Sequence, residues 1–491
     1  MAAGFNETLL WTFGMVNSVG KYLTGEKFQD KVVANGSSLK KKQIWTLIRV
    51  DETKIALKNS FGKFLTADVK GKLDCSGDSV GDGQKFILET QESGQVAIKS
   101  VAFGRYVGGS GDDLSCYDQT VDPTNLYMIH LALHPQINLR NVNRKTYVHL
   151  AEDGESLNCK EEIPWGYDAM LILEYHSGRY AIRAANTKYL RRDGELVDEL
   201  DDNSLYTLVF RDAQVSFKDC KGCYLTAVGH AAKITSRKSS IGKDELFYIE
   251  DSHPQIRLIA SNGKYVSIRD GVEVRANHSD ATDTEIFQME AVDRSDLSGN
   301  VKWAFRSNNK NYWNSGATLT AEGGDFSRET AQFTVEWMGP LVALRAANGR
   351  YFSVTSNGKI SASSAEMADN CKFVFEFINR PIVVLRGDFG FVGTKGSSGT
   401  LECNRSQYDV FGMTCSAGVF NLRAVSGKFW KVEADSSITT HGDKATDFFI
   451  ELRAHTRMLI VAENGKYLKG QQNGGFSATG DSVEKNTLWE Y

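Results

Sequence analysis

Residues 18–25 read SVGKYLTG, and residues 463–470, near the other end of the chain, read ENGKYLKG. Following the aromatic of that phrase through the sequence finds it twelve times, at Tyr22, Phe64, Tyr106, Tyr147, Tyr189, Tyr224, Tyr265, Tyr312, Tyr351, Phe391, Phe429 and Tyr467, with gaps of 35 to 47 residues. An alternating apolar run precedes each aromatic, then a short turn rich in Gly and Asn, and a large apolar residue follows, as in IALKNSFGKFLTA (55–67), IRLIASNGKYVSI (256–268) and VALRAANGRYFSV (342–354). This is the pattern of a β-hairpin: Gly or Asn supplies the positive φ of the turn. Alternation is expected to set the aromatic and its flanking aliphatics on one buried face. A second apolar cluster comes about 20 residues later, for example IWTL (44–47), FILE (86–89), YTLVF (206–210), LFYIE (246–250), FVFEF (373–377) and FFIEL (448–452). Each unit therefore reads as four short strands.

Four strands per unit of about 40 residues fit a β-propeller or a β-trefoil. A WD40-type propeller would show W-D dipeptides, and the chain has none. Prolines give a second criterion. HPQI occurs at 134–137 and 253–256 and NRPI at 379–382, each just before a strand pattern, and together they divide twelve units into four groups of three. Grouping by three predicts an all-β chain of four tandem β-trefoils packed into one compact body, with domains at 1–134, 135–253, 254–380 and 381–491.

Composition agrees with that architecture. The chain has 491 residues, too many for one ordinary core, with 41% hydrophobic residues, 45 glycines and only 6 prolines. The opening MAAGFNETLLW lacks a signal-peptide pattern, and no apolar run is long enough to span a membrane, so no membrane insertion is expected. Eight dispersed cysteines read as free thiols of a cytosolic protein. The net charge of −4, with a pI of about 6.2, argues against a generic nucleic-acid or heparin binder.

Chemistry of the enzymatic kind finds no support in the motifs. The nine histidines are scattered without HExxH, so no catalytic centre, metal site or cofactor is expected. Cys220-Lys221-Gly222-Cys223 is a lone CxxC on the hairpin phrase and reads as a turn. VGGSGDDLS (107–115) resembles a phosphate or calcium loop in composition but continues the third hairpin and lacks the P-loop Lys-Ser/Thr and EF-hand spacing. A trefoil lectin is the alternative reading; ricin-type lectins repeat Gln-x-Trp in each sub-repeat, whereas here it occurs once, at Gln43-Ile44-Trp45, without counterparts in phase.

The basic features are local. No predicted domain is net basic, yet residues 1–42 hold Lys21, Lys27, Lys31, Lys40, Lys41 and Lys42 against Glu7, Glu26 and Asp30. SSLKKKQIW (37–45) is thus an electrostatic contact surface or, on the plainer reading, a solvated strand edge whose lysines discourage pairing.

Several landmarks together resemble the fascin family of actin-bundling proteins. They are FGMVNSVGKYLT, SSLKKKQIWTL, HPQI, PWGYD, GKDELF, FINRPI, NRSQYDVF and the terminal LWEY, and the resemblance runs over essentially the whole chain. It implies a non-enzymatic, monomeric protein that crosslinks actin filaments into tight parallel bundles. Its setting would be the cytoplasmic actin cytoskeleton of filopodia and microspikes, and filamentous actin would engage two or more sites per monomer. It also implies actin contacts at Lys21, Ser38, Lys40, Lys41, Lys42, Lys243, Lys264, Asp388 and Lys469, with Lys21, Asp388 and Lys469 near a cleft between the first and fourth trefoils. Ser38, followed closely by three lysines, would be a regulatory phosphosite for a kinase such as protein kinase C, and Ser267 in GKYVSIRD a second. The chain departs from the family pattern at Gln471 and Gln472, where an acidic residue and a His are expected, and at SVTSNGK, which lacks expected lysines.

Overall fold

The computed structural model describes residues 11–111, 113–293, 301–454 and 456–491. Among them it forms 49 strands and nine short 3-10 turns, with no α-helix. The strands join into four antiparallel sheets of 12, 12, 12 and 13 strands, covering residues 12–131, 136–251, 255–377 and 382–490. The described residues fall into two compact units: one holds the first two sheets apart from residues 136–138, 161–170 and 251, and the other holds those residues and the last two sheets.

Closure is visible in the ladders. In the first sheet the opening strand Thr12–Val16 pairs with the closing strand Leu126–Leu131, Phe13 opposite Leu131. In the third, Gln255–Ala260 pairs with Lys372–Phe377. A sheet whose ends pair has few edges to protect. The hairpins that follow the phrase are linked cyclically across a pseudo-threefold axis. In the first domain Lys31 bridges Asp74, Lys72 bridges Ser115, and Ala34 bridges Gly111. The N–H groups of Cys75, Cys116 and Ala34 donate to the carbonyls of Asp30, Gly71 and Gly111 at 2.7–2.8 Å. Six barrel strands and three mutually bonded hairpins are the β-trefoil arrangement, so the expected fold class holds.

All twelve phrases lie at hairpins, with one correction to the sequence reading. The residue after the aromatic fills the core: Leu23, Leu65, Val107, Val148, Leu190, Leu225, Val266, Trp313, Phe352, Val392, Trp430 and Leu468 are all at most 2% exposed. The aromatic points to the opposite face, because successive strand residues alternate. In several copies it lies there under a cation and beside a carboxylate. Arg345, cross-strand partner of Tyr351, stacks over its ring at 5.8 Å while the Tyr351 hydroxyl donates to Glu336 at 2.9 Å. Arg183 and Glu174 treat Tyr189 in the same way, as do Arg306 and Glu290 with Tyr312.

The cores are otherwise rich in buried tryptophan. Trp45 and Trp489 are each buried and donate their indole N–H to the carbonyls of Leu23 and Leu468, both at 3.0 Å. In the second unit one apolar cluster runs from Ile256 to Tyr491. Its junction residue Arg380, in the NRPI segment, is buried between the rings of Phe377 and Tyr491 and donates to the carbonyl of Ser252 at 3.0 Å.

Candidate functional site

The basic segment of the first domain is organised by the first hairpin. Asn17 Oδ1 accepts from the backbone N–H groups of Val19 (3.2 Å) and Lys21 (2.8 Å), and Gly20 takes the left-handed conformation, φ +74°, that closes the turn. Tyr22 then pairs with Gly36, the last residue of the strand Val32–Gly36. Lys21 enters and Ser37-Ser38 leave at the same end of the hairpin, so the ladder brings Lys21 and the SSLKKKQ segment together.

The three lysines are not on a strand edge. Lys41–Gln43 is a 3-10 turn opened by Lys40, and its polar anchor is Gln43. The buried Gln43 amide accepts from the Lys40 N–H (3.2 Å) and donates to Thr24 Oγ1 (3.0 Å), and Trp45 fixes the chain two residues on. Hence Gln43 and Trp45 are both committed to contacts inside the domain. Pinned at Gln43, the turn leaves Lys40, Lys41 and Lys42 exposed. Lys42 is paired with Glu26 at 2.5 Å. Lys21, Lys40 and Lys41 have no ion-pair partner among the described residues. Ser37 is exposed and Ser38 half-buried.

The remaining candidates are spread over other sheets. Lys243 is exposed and opens a 3-10 turn whose buried Glu245 accepts from the Gly242 N–H at 2.9 Å and pairs with Lys238 at 3.1 Å. Asp388 is exposed in the tight turn between Arg386–Gly387 and Gly390–Thr394. Lys469 pairs with Glu484 at 3.2 Å, and Gln471 and Gln472 follow in an exposed turn. Lys264 is half-buried and its ammonium donates to Ser279 Oγ at 2.5 Å. Lys21, the 40–42 cluster and Lys243 belong to the first compact unit; Lys264, Asp388 and Lys469 belong to the second.

Ser267 is a correction. Its side chain is buried, its hydroxyl donates to the Glu285 carboxylate, and it accepts from the Arg269 N–H at 2.9 Å. Burial works to raise the Glu285 pKa, but hydrogen bonds from Arg269, Ser267 and Thr282 outweigh it and carry the group down to about 2. A kinase has no access to a hydroxyl placed there, so Ser267 is a structural residue of the folded domain.

A further pattern was missed in the sequence. Lys63 precedes the second aromatic and pairs with Asp78 at 2.6 Å. Lys428 pairs with Asp443 and Lys466 with Asp481 in the same way. The partner each time is the residue after the aromatic's ladder partner: Gly77, Gly442 and Gly480. The signal is a Gly-Asp pair whose aspartate lies fifteen residues after the lysine in each of these three hairpins, a spacing present in the sequence itself.

Four trefoil domains with charged side chains displayed at hairpin ends define a multi-trefoil scaffold. The Fascin domain family model matches four times, at residues 19–129, 137–249, 261–375 and 389–491. Fascin-2 of Bos taurus is 38% identical over 497 residues, covering 99% of both chains, and Fascin-2 of Homo sapiens is 40% identical over 498 residues with the same coverage. Among solved structures, the designed threefold-symmetric protein ThreeFoil is 18% identical, with a TM-score of 0.23, over 24% of this chain and 97% of that one. The chain belongs to the fascin family.

Proposed function

We propose that this protein binds filamentous actin and crosslinks filaments into tight parallel bundles in the cytoplasmic actin cytoskeleton, including filopodia and microspikes, as a monomer and without catalysis. Its domains take the boundaries 1–134, 135–253, 254–380 and 381–491. The observation that carries the reading, beyond family membership, is the set of lysines at one end of the first hairpin. Lys40 and Lys41 are held out by a turn pinned at Gln43, Lys21 stands exposed at the hairpin turn held by Asn17, and all three lack a carboxylate partner among the described residues, which suits an acidic filament. Lys42, Lys243, Lys264, Asp388 and Lys469 supply further contacts. A crosslinker needs at least two such surfaces, and weak contacts suffice because many crosslinks act together along a bundle.

Ser38 regulates the first surface. A phosphate adds about −1.5 to −2 charge, enough to cancel half or more of the uncompensated positive charge of Lys21, Lys40 and Lys41; protein kinase C is a fitting modifier because three lysines follow the serine closely. The test is actin co-sedimentation of Ser38→Glu and Ser38→Ala at physiological salt. Ser38→Glu is expected to bind several-fold more weakly than wild type while Ser38→Ala binds normally and no longer responds to the kinase. Equal bundling by wild type and Ser38→Glu would refute the regulatory reading.

A further inference from the structure

Six of the twelve hairpins place a lysine immediately before the aromatic: Lys21, Lys63, Lys188, Lys264, Lys428 and Lys466. In five of them a bulge directly follows the aromatic, and the residue after the aromatic's ladder partner is brought level with the lysine. The sixth, at Tyr189, pairs with Val197 without a recorded bulge and does not build this arrangement.

Three of the five slots are filled by aspartate: Asp78, Asp443 and Asp481 each form an ion pair with their lysine. That lysine's hydrogen bond is the leading cause that lowers the pKa of Asp443 and of Asp481. The other two slots hold serine. Ser279 is exposed and accepts from Lys264 at 2.5 Å without neutralising it. Ser37, also exposed, follows Gly36, the ladder partner of Tyr22, and so stands in the slot of Lys21. The two open slots are divided between the two compact units, one on each.

We propose that Ser37 and Ser279 are specificity-determining residues: serine in place of aspartate leaves Lys21 and Lys264 as carboxylate-acceptor slots, filled by acidic side chains of the bound partner. The proposal rests on the actin-binding reading and adds to it why these two phrase lysines, and not Lys63, Lys428 or Lys466, face the filament. A lysine already paired within its own hairpin gains little from a second carboxylate, whereas an open one gains a charge-assisted hydrogen bond. The serine hydroxyl keeps the slot polar and small enough for an incoming carboxylate to reach the ammonium.

The test is to close the open slots and open a closed one. Ser37→Asp and Ser279→Asp copy the sequence of sibling hairpins, so they are expected to keep the wild-type unfolding midpoint while each weakens co-sedimentation with filamentous actin about fivefold at physiological salt. Ser37→Ala and Ser279→Ala carry no charge into the slot and are expected to weaken binding less than the matching aspartate variants do. Asp78→Ser, which frees Lys63, is expected to strengthen binding to the filament. If wild type co-sediments with actin while the aspartate variants, folded by their unfolding midpoints, bind as wild type does, the slot proposal is overturned and the family reading stands. Should an aspartate variant fail to fold, Asp78→Ser decides: unchanged binding overturns the proposal. Failure of wild type itself to co-sediment would remove the actin reading and this inference with it.

Discussion

Glu285 and the residues around it show how a side chain's surroundings override what its sequence neighbourhood suggests. The carboxylate is buried beneath the third domain's surface and receives hydrogen bonds from Ser267, Arg269 (2.8 Å) and the Thr282 N–H (2.6 Å). Its pKa in the folded protein, about 2, is below the ordinary carboxylate value of about 4.3. A depressed folded-state pKa means that the unfolded chain binds the proton first. The group's contribution is therefore complete above about pH 4.3 and is lost as pH falls towards 2. Glu285→Gln is expected to lower stability at pH 7 and to flatten the acid-side decline between about pH 5 and pH 2, followed by urea midpoints across that range. From the sequence, Ser267 reads as an accessible serine in GKYVSIRD. Its partner lies eighteen residues downstream, and no local pattern announces that the fold will lay that carboxylate against the hydroxyl.

At the scale of the hairpin, the turn geometry is more uniform than its sequence. The position two before the aromatic is left-handed in eleven copies; eight use glycine, but Lys145, Thr187 and Lys310 adopt φ of +59°, +69° and +71°. A β-branched residue pays the most there, because its Cβ crowds the carbonyl oxygen. Thr187→Gly is expected to stabilise the second domain by about 1 kcal/mol, less the entropy glycine recovers on unfolding, read as a raised urea midpoint with unchanged slope. The repeat itself was legible in the sequence because the aromatic and its turn are fixed by chemistry at every copy. The facing of the aromatic was not. One buried face was expected for the aromatic and its neighbours, whereas Tyr351 lies with Arg345 and Glu336 on one side of the strand and Phe352 lies in the core on the other. The slot was only partly hidden: Lys63 and Asp78, Lys264 and Ser279, Lys428 and Asp443, and Lys466 and Asp481 all stand fifteen residues apart, whereas Lys21 and Ser37 stand sixteen apart, and there only the ladder register makes the match.

For the whole molecule, the twelvefold phrase builds four closed trefoils, and function resides in how the copies differ. The fold was legible because prolines at HPQI and NRPI stand just ahead of the strands that open the second, third and fourth sheets. The proposed binding surfaces were legible only in part: SSLKKKQ stands out as a charge run, but which lysines are already paired is decided by side chains such as Glu26, Asp78 and Glu484 that tertiary structure brings up. Contacts between exposed charges weaken as salt shortens the screening length from about 10 Å at 0.1 M to about 3 Å at 1 M, so bundles are expected to loosen over that range. The most direct measurement is pelleting of purified protein with filamentous actin at low and at high centrifugal speed, across that salt series. Actin is expected to enter the low-speed pellet with the protein at physiological salt and to leave it as salt rises. Actin that pellets only at high speed, with or without bound protein, would contradict crosslinking.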